Sequence, residues 1–137
     1  MSQARRRPRS AFVTRARTGL DRIAMNAASQ PEPDAALAQA IDALWKRFLP
    51  EITERASVLE AAAQAAAASH LGRKQRQAAQ AAAHKLAGVL GSFGLTRGTV
   101  LARELELTFA RESSPSPAEG PKLAASVAEL RALIASR

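Results

Sequence analysis

From residue 34 onward, apolar positions recur at spacings of three and four, the period of a helix with one buried face. Leu37, Ile41, Leu44, Phe48, Ile52, Arg55 and Leu59 trace the first such face, with Trp45 and Leu49 beside it. Asp34 stands where a helix needs an N-cap. Pro50 interrupts the run. It either kinks the helix or opens a second segment, where its missing N–H does no harm and Glu51 and Glu54 suit the dipole. Alanines carry the helix to about Ala68, and Ser69-His70-Leu71-Gly72 reads as its end and a turn. A second helix is predicted from about Arg73 to Phe93, with Gly94 placed to stop it in a left-handed C-cap. Thr96 can cap a third helix over about 97–112, with Val100, Leu101, Leu105, Thr108 and Phe109 largely inward. ESSPSP is a loop, Pro121 restarts the chain, and Leu123, Val127, Leu130 and Ile134 give a final face. No period-2 strand run occurs. Four helices with short to medium connections predict an all-α, antiparallel four-helix bundle.

Composition narrows the chemistry. The chain has 137 residues, is 47% hydrophobic with alanine prominent, and contains no cysteine. Disulfides, thiolate catalysis and Cys-ligated zinc are therefore excluded. No apolar run approaches the roughly 20 residues of a membrane span, and the N-terminus lacks a signal-peptide core. A cytoplasmic location is expected. The net charge of +8 is uneven, because the first 25 residues hold seven Arg and one Asp. Residues 1–33 read as an Arg-rich, disordered arm, in which a short amphipathic helix around Phe12–Met25 can form, and 34–137 as the bundle. The arm is either a solvated tail, a contact for nucleic acid or anionic lipid, or a transit peptide. The remainder is close to neutral, so nucleic-acid binding is not expected outside residues 1–25.

The two histidines, His70 and His84, lie 14 residues apart. Neither forms an HxxxH or ExxH pair, so no metal site is predicted. No GxSxG elbow is present. Gly88, Gly91 and Gly94 follow no strand and precede no GK[ST], so they are not a phosphate loop. His70 reads as a helix-end residue near favourable carbonyls. On a wheel of roughly 100° per residue, Phe93, Leu86 and Leu90 fall on the far side from His84. The side shared with His84 carries Gln80, Ala87, Gly88 and Gly91. An imidazole held out to water on a surface of small residues is open to a large partner, and imidazole is neutral and nucleophilic near pH 7. Two glycines in mid-helix cost up to about 1 kcal/mol each against alanine and need a reason. Either they clear the histidine or they let helices pack closely.

The stretch AHKLAGVLGSFGLTRGTVLARELE, residues 83–106, resembles a histidine-containing phosphotransfer (HPt) domain. His84, Leu86, Gly88, Gly94 and the pair Leu105-Glu106 match that family's pattern, and LWKRFLPEITERASVLE, residues 44–60, is similar to the first bundle helix of one subgroup. The resemblance spans roughly residues 36–137. It implies a phosphorelay intermediate, a phosphocarrier without a kinase or nucleotide site of its own. His84 would be the phosphoacceptor, Glu106 would orient the imidazole, and Gly88 would open the site. Gln80, Ala87, Gly88, Gly91 and Arg103 would form the receiver-docking surface. The implied partners are response-regulator receiver domains and a sensor or hybrid histidine kinase. No cofactor of its own is implied, and Mg²⁺ is expected in the receiver.

One position departs from the family. Its usual lysine three residues after the histidine is Ala87 here, and Lys85 sits about 100° round the helix instead. Lys85, together with Arg103 on the next helix, can supply the charge that steadies a phosphohistidine, or Lys85 is a solvated surface lysine. Lys85, Arg97 and Arg103 near His84 would attract an acidic receiver pocket. The rival function is a helical interaction protein whose arginine arm binds nucleic acid or an anionic surface.

Overall fold

The structure is a computed structural model that describes residues 33–137. The Arg-rich arm, the Phe12–Met25 helix and the binding roles expected of them lie outside the described residues, which form two units. One ends at Ala43 and the other spans Leu44–Arg137. The core and the site below belong wholly to the second.

Among the described residues there are four α-helices and no strand: α1 Pro33–Ala67, α2 Arg73–Ser92, α3 Thr96–Ala110 and α4 Gly120–Ser136. A 3-10 turn, Pro117–Glu119, leads into α4. The contacts run antiparallel around the second unit. Trp45 of α1 meets Phe93 after α2 edge-on, with ring centroids 5.2 Å apart. Arg97 of α3 reaches Glu129 of α4, and Arg131 of α4 donates to Ser57 of α1. The four helices bury one apolar cluster. Nine of its twenty-one buried residues are alanine. Small side chains let the helices approach closely, while Leu59, Leu86, Leu90, Leu105, Phe109 and Leu130 fill the volume between them. Burying each of these larger side chains stabilises the fold by about 1.5–3 kcal/mol.

Several expectations are corrected. Helix α1 runs through Pro50 as one helix, so the proline does not open a second segment. Its buried face is Trp45, Ile52, Ala56, Leu59, Ala63 and Ala66, whereas Leu37, Leu44 and Phe48 are exposed. The strict heptad through Trp45, Ile52, Leu59 and Ala66 runs along the seam; the path through Leu44 and Phe48 is rotated away from it. Asp34 lies in the first helical turn rather than capping it, where it still favours the dipole. Thr96 is the first residue of α3 rather than its cap, and Leu95 precedes the helix without a side-chain cap. Val100 is exposed.

Helix ends matter here because they set the register of α2 against α3. Gly94 adopts φ +75°, as its glycine allows. Its N–H reaches Gly91 O, and Leu95 N–H reaches Leu90 O. Helix α1 closes the same way through Ser69 at φ 60°, with Ser69 N–H on Ala66 O and His70 N–H on Ala65 O. At the far end of α3, Arg76 of α2 donates from Nη1 to the carbonyls of Phe109 and Arg111. An arginine from one helix thus satisfies orphan carbonyls of its neighbour.

Candidate functional site

The tight turn Phe93–Leu95 lays α3 back along α2, and side chains meet in pairs. Gly91 faces Thr99: a Cβ on the glycine would lie 3.5 Å from Thr99 Oγ1. In the same antiparallel register, two turns further along, His84 faces Glu106. His84 Nδ1 and Glu106 Oε2 are 2.8 Å apart. A carboxylate oxygen only accepts, so Nδ1 carries the proton and donates it. In the neutral ring this is the tautomer that leaves Nε2 with a free lone pair.

Exposure completes the geometry. The His84 side chain is 70% exposed and that of Glu106 only 22%. The imidazole therefore stands in water, braced from below by a carboxylate that the helices partly cover. Between the two paired positions lies Gly88, one turn after His84. A Cβ there would meet nothing within 4 Å. Gly88 is thus an opening in the surface and not a close helix contact. The glycine that does serve packing in this pair of helices is Gly98, where a Cβ would sit 3.1 Å from Leu90 Cδ1.

The other expected residues divide. Gln80 is half-buried and lies one turn before His84, and Gly91 is exposed one turn beyond Gly88. Lys85 and Arg103 are exposed and form no ion pair among the described residues. Ala87 is corrected: it is 1% exposed, part of the core and not of any docking surface. Its position falls on the flank of α2 that α3 covers, which the wheel alone did not show. Arg97 is also corrected as a free docking charge. Its Nε donates to Glu129 Oε2 at 2.8 Å and its Nη2 to Oε1 at 3.1 Å. This bond and the attached charge hold the Glu129 carboxyl below its usual range. His70 is exposed in the α1–α2 turn, away from His84. Thr99 was missed by sequence reasoning. The signal that finds it is spacing, since Thr99, Arg103 and Glu106 repeat the i, i+4, i+7 offsets of His84, Gly88 and Gly91.

Chemically, the site offers one nucleophilic nitrogen, one orienting carboxylate and room for a bulky partner. Among the described residues no group of three or more His, Cys, Asp or Glu side chains is placed to hold a metal. No helix of the described residues is long and apolar enough to cross a membrane.

The chain is similar to known proteins. The family model of the Hpt domain matches residues 43–136. Protein RcaC of Microchaete diplosiphon is 32% identical over 87 residues, which is 64% of this chain and 13% of RcaC. The chain thus spans a small fraction of the length of that relative. No solved structure matches.

Proposed function

The chain belongs to the Hpt domain family, whose members are phosphocarriers of two-component signalling, and on that footing we propose that His84 carries a phosphoryl group between receiver-domain aspartates, or from a sensor kinase to a receiver. The observation that carries the reading is the brace on His84. Nδ1 is committed to Glu106 at 2.8 Å, and Nε2 projects from a 70% exposed ring beside the open surface at Gly88.

The step is a displacement at phosphorus. The Nε2 lone pair attacks the phosphorus of an aspartyl phosphate. The N–P bond forms as the P–O bond to the aspartate breaks, and the electron pair leaves with the carboxylate. The proton stays on Nδ1, so the phosphorylated ring is cationic. Glu106 faces that charge and offsets it. No proton has to enter or leave, and the same path runs backwards to a second receiver. Holding the ring in one tautomer and orientation before attack is the contribution of this chain. The receiver brings its acidic pocket and Mg²⁺, which neutralise the transferring group.

The test uses a receiver domain charged with labelled acetyl phosphate. Wild-type protein should acquire an acid-labile, base-stable label, and His84→Gln should acquire none. Label persisting in His84→Gln, or absent from wild type with several receivers, contradicts the proposal.

A further inference from the structure

A phosphohistidine carries negative oxygens that need a cation, and the position from which this family usually supplies one is closed here. Ala87 is 1% exposed, on the flank of α2 covered by α3. A lysine there would have to thread its stem out of a packed helix contact. The charge must come from elsewhere.

Among the described residues two cations are candidates, and helix geometry separates them. His84, Gly88 and Gly91 lie within about 60° of one another on α2, and Thr99, Arg103 and Glu106 lie within the same arc on α3. The outer pairs of this ladder touch, His84 with Glu106 through a 2.8 Å bond and Gly91 with Thr99 across 3.5 Å to the built Cβ. The middle pair is Gly88 and Arg103. Arg103 therefore rises from α3 opposite the opening, about one helical turn along from the imidazole. Its side chain is exposed and forms no hydrogen bond or ion pair among the described residues. Gly88 offers no side chain to obstruct it, since the space above its Cα is empty to 4 Å. Glu106, the carboxylate one turn away, is already engaged by His84. Lys85 is displaced about 100° from His84, toward the flank of α2 opposite to buried Ala87 and so away from α3.

Resting on the phosphocarrier reading of His84, we propose that Arg103 is the phosphate-holding cation of this domain. It reaches across the Gly88 opening to the phosphoryl oxygens on Nε2 and replaces a lysine on the histidine's own helix. A guanidinium suits this task, since its planar fork binds two phosphoryl oxygens at once. Gly88 then has two uses, admitting the partner and leaving a corridor for Arg103. Contact with the phosphoryl oxygens favours their full charge, which is dispersed when the N–P bond breaks. Arg103 therefore lengthens the life of the phosphohistidine and draws the receiver–histidine equilibrium toward His84.

The experiment uses the full chain, phosphorylated by a charged receiver that is then removed, with His84→Gln as the blank. The decay of the label is followed for wild type, Arg103→Ala, Arg103→Lys and Lys85→Ala at low and high salt. Arg103→Ala should shorten the lifetime about three- to ten-fold and flatten its salt dependence. Arg103→Lys should restore part of it, and Lys85→Ala should match wild type. Thermal melts of all variants should coincide, because both side chains are exposed. A wild-type lifetime in Arg103→Ala, or a loss confined to Lys85→Ala, overturns the assignment while leaving His84 as acceptor. Wild-type protein that takes no label at His84 overturns the phosphocarrier reading itself.

Discussion

Replacing Gly88 by alanine should make the domain more stable and a poorer phosphocarrier. The residue is the fifth from the end of α2, still in regular helix. Alanine in place of mid-helix glycine is worth about 0.5–1 kcal/mol, because the unfolded chain has less freedom to lose. Usually a clash subtracts from that gain. Here nothing lies within 4 Å of the added carbon, so the gain should appear in full. For a domain of about 100 residues it raises the melting temperature by about 2–6 °C. The same carbon intrudes on the approach to His84, and a larger side chain intrudes more. Gly88→Leu should lower kcat/KM for transfer from a receiver by about ten-fold or more, the scale of 1–3 kcal/mol for forcing bulk into a fitted contact. Circular dichroism at 222 nm during heating reads the first effect, and rapid-quench transfer kinetics the second. A lower melting temperature for Gly88→Ala would show that the helix is not open there. Transfer at the wild-type rate in Gly88→Leu would show that the opening is not used.

Other changes should behave differently for stated reasons. Gly120→Ala should destabilise by about 1–3 kcal/mol in urea unfolding, since its Cβ would lie 2.8 Å from Ala67 Cβ and 3.0 Å from Ala67 Cα; a stability equal to wild type refutes the close approach. Ser69→Gly should stabilise by up to about 1 kcal/mol, because Ser69 holds φ 60°, which glycine adopts freely. Glu106→Ala should slow transfer to His84 about three- to ten-fold, the value of roughly 1 kcal/mol for a charge-assisted bond at a partly exposed site. Glu106→Gln should lose less, since its amide oxygen accepts the same bond. Finally, Glu119 is held below the usual carboxylate range by the Ser116 backbone N–H and by Arg111, and Glu129 by Arg97. Groups lowered in the folded state contribute stability that is fully present above the ordinary glutamate value of about 4.3 and is lost as pH falls through their native values. Urea unfolding from pH 6 to pH 3 should show the deficit of Glu119→Gln shrinking toward zero at the acid end.

The helices were legible because their punctuation is local. Gly94 and Pro121 each mark a boundary through a backbone preference that needs no partner, and the spacing of Leu123, Val127, Leu130 and Ile134 places α4 correctly. Of the two side chains that meet at 2.8 Å, His84 stands out in the sequence by its position opposite Leu86 and Leu90, and Glu106 only through the family resemblance. What escaped depends on neighbours. A wheel distinguishes core from water but not which flank another helix covers, so it puts Ala87 with His84 although α3 buries it. The sequence pattern draws the seam of α1 through Leu44 and Phe48, because large side chains outweigh alanines in it. In the fold, Ala56, Ala63 and Ala66 make the contact, since their small size permits it. Arg76 as a cap on α3 could not be read at all, for its partners lie 33 and 35 residues away.

In the proposed transfer Glu106 holds Nδ1 and leaves Nε2 of His84 as the attacking atom. This is tested most directly by nitrogen–phosphorus correlated NMR of the ¹⁵N-histidine protein after phosphorylation by a receiver. A single phosphorus coupled to Nε2 of His84 is expected, with Nδ1 still protonated and bonded to Glu106. Phosphorus on Nδ1, on His70 or on a carboxylate would contradict it.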